Sequence, residues 1–454
     1  MKSLKFTYLI FMLIAADAFA KDSDFYAMGR QFLGEMVEIE STEEKGMATK
    51  VSEYAESVLL TNGFTSNDLE VVGPSDQTKG LYAIYRGESS KKPVVVMAHI
   101  DVVPAVKDAW ITDPFKMTEI DGFLHGRGTA DNKGGAAGLL ATFIKLRAEE
   151  FVPKNDIIML LTGDEETGMQ SIRYFRKNFS SVSNASFAFN SDGGFLTGSM
   201  KNPEAFRLQS AEKVYLTLTL STNNKGGHSS IPRKDNAIYD LADAIKKIQA
   251  YDFPISLNQT TRATLEFALE DANDSEKLEI RSILNGTQSD LAITEKDPEL
   301  NAILRTTCVV TKLKAGHAEN ALPVSATATL NCRILPQTDP ERIVSKIKEL
   351  VGGKVKVATI FDFELSPPSP ITPEIERLVS SSINKVFPGL PVVPTMSTGA
   401  TDAIALRSNG IPVYGTSAMM TDPTGFRAHG LNERVEIEAF NASLDFWYAL
   451  MKQL

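Results

Sequence analysis

The stretch Leu160-Leu-Thr-Gly-Asp-Glu-Glu-Thr-Gly168 places three successive carboxylates, flanked by glycines, directly after an apolar run at 157–161. An apolar run of this length predicts a buried strand, and the carboxylates then lie at its carboxyl end. Three carboxylates buried together repel one another and lose hydration, so cations or hydrogen-bond donors must offset that free-energy cost. The stretch therefore predicts a metal site at the end of a strand.

Two upstream segments supply further ligand candidates. The apolar run Val94-Val-Val-Met-Ala-His-Ile-Asp-Val-Val-Pro104 contains His99 and Asp101, which are two residues apart and so lie on one face of a strand. In Gly126-Arg-Gly-Thr-Ala-Asp-Asn-Lys-Gly-Gly135, Asp131 precedes a predicted helix, where a carboxylate can bridge two metals. A phosphate-binding helix start is the alternative, but Asp131 would repel a phosphate.

Two downstream candidates carry little weight when each is taken alone. Asp192 lies in the turn Asn190-Ser-Asp-Gly-Gly194, and His429 lies in Arg427-Ala-His-Gly-Leu-Asn-Glu-Arg434. An aspartate in such a turn is more often a turn former, and a single histidine is more often at the surface or satisfied in the core. Glu433, close after His429, either supports that ligand or is an exposed charge.

The order of predicted elements indicates two domains. Strands at 81–85, 94–100, 157–161 and 187–189 alternate with helices, which predicts a three-layer α/β domain with ligands at the carboxyl ends of its strands. From residue 211 the order becomes β-α-β-β-α-β, the order of a ferredoxin-like α+β domain. The expected division is a catalytic domain at 21–210 and 366–454 with an inserted domain at 211–365.

The amino terminus predicts export. Lys2 and Lys5 precede an apolar run at 6–16 and the small-residue site Ala18-Phe-Ala20, so residues 1–20 are expected to be a secretory signal peptide. The apolar run is too short to span a bilayer comfortably, so no stable membrane anchor is expected. The mature protein is therefore expected in the periplasm or the extracellular medium.

Composition sets limits on the protein's class. The chain has 454 residues, of which 43% are hydrophobic and 23% charged, which is typical of a globular protein large enough for two domains. Its net charge of −10 argues against nucleic acid as a partner. After export, Cys308 and Cys332 either form a disulfide or remain as two buried thiols.

Together and in this order, the motifs resemble the family of dinuclear zinc aminoacylases, carboxypeptidases and deacylases, which includes carboxypeptidase S, glutamate carboxypeptidase and succinyl-diaminopimelate desuccinylase. The resemblance covers essentially the whole mature chain. It implies a zinc-exopeptidase-like catalytic domain with an inserted lid and dimerisation domain. It also implies two Zn²⁺ ions per chain, with cobalt or manganese as alternatives, and a cis peptide bond after Asp131. The ligands it implies are His99, Asp131 and Asp192 for one ion, and Asp131, Glu166 and His429 for the other.

The same resemblance implies the roles of other residues. Glu165 matches the general base, and Asp101 matches the carboxylate that orients His99. His228, in Lys225-Gly-Gly-His-Ser-Ser-Ile-Pro232, matches a lid histidine that donates to the developing oxyanion, commonly in the neighbouring subunit, so a homodimer is expected. The implied substrate-binding residues are Asn320, Arg333, Gly399 and Thr401.

The resulting hypothesis is an exported zinc hydrolase that cleaves an amide bond next to a free carboxylate, as a carboxypeptidase, a dipeptidase or an N-acyl amino acid deacylase does. Its substrate would be a small peptide or an N-acyl amino acid. The competing hypothesis is a non-catalytic exported protein that binds peptides or metal on the same scaffold. Loss of the base or of a ligand would favour that alternative, and the sequence retains all of them.

Overall fold

The computed structural model describes residues 24–287, 292–360, 364–425 and 427–454, so the predicted signal peptide at 1–20 lies outside the described residues. Within the described residues, no helix combines the length and the apolar character needed to cross a membrane. The chain forms two compact units. Among the described residues, the first unit comprises 24–208, 371–393 and 409–454, and the second unit comprises 209–370 and 394–408.

The strands are numbered in chain order. They are β1 (Leu69–Val72), β2 (Gly80–Tyr85), β3 (Ser89–His99), β4 (Thr118–Ile120), β5 (Phe123–His125), β6 (Asn155–Thr162), β7 (Phe187–Asn190), β8 (Phe195–Gly198), β9 (Pro203–Glu212), β10 (Val214–Asn223), β11 (Gly227–His228), β12 (Thr307–Ala315), β13 (Ala321–Leu322), β14 (Ser325–Ile334), β15 (Lys356–Thr359), β16 (Val392–Ser397), β17 (Val413–Gly415), β18 (Met419–Met420) and β19 (Arg434–Glu436).

The helices follow in the same way. They are α1 (24–38), α2 (Ala48–Thr61), α3 (Lys133–Ala148), α4 (Gln170–Asn178), α5 (Ser180–Ser183), α6 (Ala237–Gln249), α7 (Gln259–Ala268), α8 (Asp274–Leu284), α9 (Ala292–Lys296), α10 (Pro298–Leu304), α11 (Pro340–Val351), α12 (Pro373–Val386), α13 (Ala403–Arg407) and α14 (Ile437–Met451), with short 3₁₀ turns at Ser66–Asp68 and Lys107–Ala109.

The large sheet of the first unit positions the site. Its strand order is β1-β2-β6-β3-β7-β17-β9-β8-β18, and β16 pairs with β9. Strand β3 is parallel to β6 and to β7, with His99 paired to Thr162 at the end of β6. Because the carboxyl ends of parallel strands lie at the same edge, the segments that follow these three strands meet there.

Helices cover both faces of this sheet. On one face the buried side chains of Val94, Val96 and Ala98 belong to the core that also includes α3 and α14. On the other face the Tyr82 ring stacks on Phe179 between α4 and α5, with ring centroids 4.4 Å apart. The alternation follows from the period of two along a strand. The predicted three-layer α/β arrangement is therefore confirmed.

The second unit contains an antiparallel sheet in the order β12-β14-β10-β15. Buried side chains of α6 and α11, among them Leu241, Val344 and Ile347, pack with apolar side chains of β10 and β14 such as Leu218. This is the predicted ferredoxin-like β-α-β-β-α-β unit. Helices α7 to α10 extend it between α6 and β12 and enclose a small apolar core of their own.

The two cysteines form a disulfide. Cys308 on β12 lies directly opposite Cys332 on β14, and the two sulfur atoms are bonded. Of the two alternatives left open by the sequence, the structure thus contains the disulfide.

The second unit also includes Pro394–Ser408, which the sequence analysis assigned to the catalytic domain. A buried ion pair accounts for this placement, because Glu212 lies 2.9 Å from Arg407 and accepts hydrogen bonds from the amide and the hydroxyl of Thr401. An ion pair enclosed in protein separates only at a large desolvation cost, so it holds this segment to the start of the second unit.

Candidate metal centre

The site lies in the first unit, at the shared carboxyl edge of β3, β6 and β7. His99 is the last residue of β3, and the run 164–166 follows β6. Asp192 comes two residues after β7, and Asp131 comes two residues before α3. Each of these predicted ligands therefore lies at or just after the end of a strand, or just before a helix.

His99 is almost completely buried, and both ring nitrogens face oxygen atoms. Nδ1 donates to the backbone carbonyl of Asp101 at 3.0 Å, and Nε2 lies 2.8 Å from Asp131 Oδ1 and 3.9 Å from Asp192 Oδ2. Burial alone would lower the pKa of His99, but the carboxylates of Asp101, Asp131 and Asp192 raise this pKa well above its usual value. The ring is thus held so that Nε2 points into a group of carboxylates.

His429 approaches the same group from the opposite side. Its Nε2 lies 2.9 Å from Glu166 Oε1 and 3.3 Å from Asp131 Oδ2. Hydrogen bonds to Asp131 and Glu166 raise the pKa of His429 to about 10. Asp131 therefore presents one carboxylate oxygen to each histidine, and the two histidines hold the pKa of Asp131 below its usual range despite burial.

The loop that carries Asp131 is tied to the loop that carries Asp192. The peptide bond between Asp131 and Asn132 is cis, as the family resemblance implied. The Asn132 side chain donates to the Ser191 carbonyl at 3.1 Å and accepts from the Ser191 hydroxyl at 2.5 Å. At Gly135 a Cβ atom would lie 2.2 Å from Ser191 Oγ, so only glycine permits this close approach.

The donor set fits divalent cations. Ligand atoms of His99, Asp131 and Glu166 lie within 4.8 Å of one another, as do those of His99, Glu165 and Asp192. Imidazole nitrogen and carboxylate oxygen are ligands that Zn²⁺ takes in proteins. So many carboxylates in one partly buried group require positive charge nearby, which two protonated histidines or bound cations can supply.

The three carboxylates after β6 have different partners. Asp164 is buried and accepts from the amides of Gln170 and Ser171, each at 2.8 Å, so it stabilises the start of α4. Glu166 faces His429, whereas a carboxylate oxygen of Glu165 lies near His99 and Asp192. Successive residues thus present their side chains to different sides of the site.

Asp101 contacts three residues of the site through different groups. Its carboxylate lies 3.6 Å from His99 Nδ1, longer than a hydrogen bond, and its backbone carbonyl orients the ring instead. The carboxylate accepts from the amides of Glu165 and Glu166, at 3.1 and 3.0 Å. Asp101 therefore supports the histidine through its backbone and the two glutamates through its side chain.

Two buried basic residues lie beside the site and were not predicted from the sequence. Lys133 donates to the carbonyls of Met36 and Ile39, at 2.9 and 2.7 Å, and burial lowers its pKa to about 7. Arg127 is also buried and pairs with Glu433, which is fully buried. The basic residues in Gly126-Arg-Gly and Asn132-Lys-Gly were the available signal, but nothing in the sequence distinguishes a buried cation from an exposed one.

The predicted oxyanion donor and one predicted substrate residue lie together in the second unit. His228 on β11 pairs with Ala321 on β13, and the Asn320 carbonyl accepts from the Ser229 amide at 3.0 Å. The Ser230 amide donates to His228 Nδ1 at 3.2 Å. Because a backbone amide can only donate, Nδ1 is the acceptor, and the proton of the neutral ring lies on Nε2.

The other predicted substrate residues also lie in the second unit. The Arg333 guanidinium stacks over the Tyr215 ring at 4.6 Å. Gly399 and Thr401 lie in the turn between β16 and α13, and the Thr401 hydroxyl donates to Glu212 at 3.0 Å. Thr401 is largely buried, so its side chain stabilises the turn from inside.

The sequence is similar to a known protein family and to individual relatives. The family described as peptidase family M20/M25/M40 matches residues 95–453. Human N-fatty-acyl-amino acid synthase/hydrolase PM20D1 is 29% identical over 435 residues, covering 90% of this chain and 84% of the human protein. The probable carboxypeptidase S-like 2 of Dictyostelium discoideum is 28% identical over 376 residues, covering 80% of this chain and 72% of that protein.

Solved structures share the fold. The M20 family metallo-carboxypeptidase Sso-CP2 from Sulfolobus solfataricus has a TM-score of 0.70 at 21% identity, covering 94% of this chain and 98% of that chain. The dipeptidase Dug1p from Saccharomyces cerevisiae has a TM-score of 0.69 at 18% identity, covering 96% of this chain and 97% of that chain. Bacillus subtilis YXEP, described as a dinuclear metal binding peptidase, has a TM-score of 0.60 at 11% identity, covering 95% of this chain and 98% of that chain.

The sequence match over most of the chain and the shared fold confirm the resemblance inferred from the motifs. They also decide between the two hypotheses, since the family consists of hydrolases. This chain is an enzyme that belongs to peptidase family M20/M25/M40.

Proposed function

We propose that this enzyme is an exported dinuclear zinc hydrolase that cleaves an amide bond adjacent to a free carboxylate. The observation that carries the proposal is the position of Asp131, whose two carboxylate oxygens face His99 and His429 separately. In the proposed site, Asp131 would be a ligand of both ions.

The ligands divide into two sets that share Asp131. His99, Asp131 and Asp192 would hold one ion, and Asp131, Glu166 and His429 would hold the other. When bound, a pair of zinc ions lowers the pKa of a water molecule and polarises the scissile carbonyl, and cobalt or manganese could serve in the same way.

Glu165 is the proposed general base. Its carboxylate accepts a proton from the attacking water and then donates that proton to the nitrogen of the leaving amine. The amide of Glu165 is held by Asp101, so its backbone is fixed at the strand end. Glu166, with its amide on the other oxygen of Asp101, directs its carboxylate toward His429.

His228 is the proposed donor to the developing oxyanion. Its Nδ1 accepts from Ser230, so the Nε2–H of the neutral ring remains as a donor. The imidazole is exposed and can therefore meet a substrate or a second subunit. A positioned donor of this kind stabilises negative charge more strongly in the transition state than in the ground state.

Arg333 is the proposed clamp for the substrate carboxylate. Its planar guanidinium can form two parallel hydrogen bonds with a carboxylate, and the Tyr215 ring supports one face of it. Burial lowers the pKa of Arg333 below its usual value. Peptides and N-acyl amino acids both offer an amide bond next to a free carboxylate, in keeping with the carboxypeptidase and N-acyl amino acid hydrolase names among the relatives.

Strand β12 supports the proposal of a homodimer. It lies at the edge of the second unit's sheet, and within the described residues it pairs with β14 alone. Val309 and Leu313 on β12 are 60% and 65% exposed. A long exposed edge strand is a template for pairing with another strand, and a second copy of this chain would cover it.

The test measures metal and activity on one preparation. Purified enzyme is treated with a chelator and reconstituted with zinc, cobalt or manganese, and each form is assayed on N-acyl amino acids, dipeptides and the same compounds with a carboxamide terminus. We expect two ions per chain, activity only in reconstituted enzyme, and preference for the free carboxylate. Full activity after removal of metal, or equal turnover of the carboxamide compounds, would overturn the proposal.

A further inference from the structure

Glu433 holds the backbone that leads to Asp131. Its carboxylate is fully buried, and Oε1 accepts hydrogen bonds from the amides of Gly128, Ala130 and Asp131 at 3.0, 2.9 and 3.0 Å. Gly128 has φ +91°, a left-handed conformation that glycine adopts readily. Three backbone amides of this loop thus donate to Glu433 Oε1, and the last of them is the amide of Asp131.

Arg127 joins the same carboxylate to the loop of His429. Its Nη1 donates to Glu433 Oε2 at 2.6 Å, and its Nη2 donates to the carbonyl of Gly430 at 3.0 Å. The Trp110 ring lies 5.2 Å from the centre of the guanidinium. Gly430 directly follows His429, which has φ +63°. The arginine therefore contacts the backbone on the other side of the site.

We infer that Arg127 and Glu433 form a positioning pair that sets the separation between Asp131 and His429 and so determines how tightly the ion they share is held. This inference rests on the proposed function, because it concerns that ion. Neither side chain is proposed to touch substrate or metal. Each contacts the backbone within one residue of a ligand.

Charge and burial favour this role over simple core packing. The charges of Arg127 and Glu433 oppose each other, so the pair adds no net charge beside the carboxylate group, and the hydrogen bonds to the two ligand loops are its most direct effect. Both partners are buried, and losing one leaves an uncompensated charge in the protein. Residues that orient metal ligands typically change metal affinity by about 10–100-fold when they are replaced.

Two variants separate geometry from charge. Glu433→Gln keeps the shape of the side chain but brings an amide donor or a weaker acceptor to Arg127. Arg127→Lys keeps the positive charge but has one ammonium group in place of the fork that reaches both Glu433 and Gly430. Glu212→Gln is the matched control, because Glu212 is equally buried, pairs with Arg407 at 2.9 Å and lies in the second unit.

The readout is metal binding, measured by competition with a chromophoric chelator and by the visible spectrum of the cobalt-loaded protein. We expect both site variants to lose about 10–100-fold in affinity for at least one ion, with an altered cobalt spectrum. Glu212→Gln should unfold at lower denaturant but retain wild-type metal affinity. Urea unfolding of every variant in the metal-free state separates lost stability from lost affinity.

The outcomes distinguish this inference from the proposed function. If wild-type protein binds no metal, the proposed function fails first. If wild-type protein binds two ions and both site variants bind them with wild-type affinity and spectrum, the pair is only structural and the inference is overturned. Should Glu433→Gln not fold, Arg127→Lys decides alone, and wild-type affinity in that variant overturns the inference.

Discussion

The backbone amide of Glu165 donates to the Asp101 carboxylate across 3.1 Å, although Asp101 follows β3 and Glu165 follows β6. The other oxygen of Asp101 accepts from the next amide, that of Glu166, at 3.0 Å. One carboxylate thus fixes two successive residues, and their side chains point in different directions. In the proposed mechanism, this arrangement would let Glu166 hold a metal ion while Glu165 moves a proton.

Replacing Glu165 with glutamine should remove the base and leave the metal ligands in place. We expect kcat to fall about 10²–10⁴-fold, the range that a positioned general base contributes. Two ions per chain should still be found by elemental analysis, and KM should change little. A Glu165→Gln enzyme with the wild-type rate would contradict the role assigned to Glu165, and one that lost its metal would show that Glu165 is a ligand.

Replacing Arg333 with methionine should weaken binding of substrates that carry a free carboxylate. A hydrogen-bonded charged pair contributes about 1.5–3 kcal/mol, so we expect kcat/KM to fall roughly 10–100-fold. The matched carboxamide substrates should be affected far less, since they lack the charge that Arg333 would bind. Arg333→Lys should recover part of the loss. An equal loss on both kinds of substrate would contradict the clamp.

Stability should depend on pH through Lys213. Burial, and secondarily the charge of Arg333, lowers the pKa of Lys213 from 10.5 to about 7. Between these two values the unfolded chain binds a proton that the folded chain does not, so stability rises with pH across this window and is lost as pH falls toward 7.

The measurement is urea unfolding of the wild type and Lys213→Met at pH 7, 8 and 9. In the wild type, Lys213 should raise the free energy of unfolding by at most about 1.4 kcal/mol per pH unit, and Lys213→Met should lack this increase. The variant also leaves the Arg305 carbonyl and the Thr307 hydroxyl without their donor, so the slope is more informative than the absolute stability. Lys247→Met, at an exposed site on α6, is the control, and parallel slopes for all three proteins would contradict the prediction.

Removing the disulfide should weaken the second unit. The bond closes a segment with a sequence separation of 24 residues, and a loop of this size corresponds to about 3 kcal/mol of stability. We expect reduced wild-type protein and the Cys308→Ala/Cys332→Ala double variant to lose similar amounts in guanidinium unfolding. Metal affinity should persist, because both cysteines lie outside the first unit. Unchanged unfolding after reduction would contradict this expectation.

Strand ends and turns are local signals, so the sequence could indicate where several candidate ligands lie. Asp131 precedes a helix among glycines, and His99 ends an apolar run, so each could be placed from its own neighbours. The structure brings these side chains together with His429 as expected. Local signals do not show which distant residues meet. The family resemblance implied that His429 lies near Glu166, which is 263 residues away in the chain.

Other features depend on contacts that no local pattern records. Arg127 and Glu433 are 306 residues apart, and a glutamate after a histidine is equally consistent with an exposed charge. Asp101 contacts His99 through its backbone carbonyl, whereas the family resemblance implied the side chain. Thr401 was expected to bind substrate, and its hydroxyl donates to Glu212. In each case the partner was decided by tertiary packing.

Lys133 links the segment beside Asp131 to residues far upstream in the chain. Its ammonium is held by carbonyl oxygens of Met36 and Ile39, at the end of α1, whereas the family match begins only at residue 95. An expression fragment limited to residues 95–453 would lack Met36 and Ile39. The Lys133 ammonium would then have lost both of these hydrogen-bond acceptors. We therefore expect an active fragment to need residues 24–39, and the hydrogen bonds of Lys133 indicate where the amino-terminal boundary of a recombinant enzyme should lie.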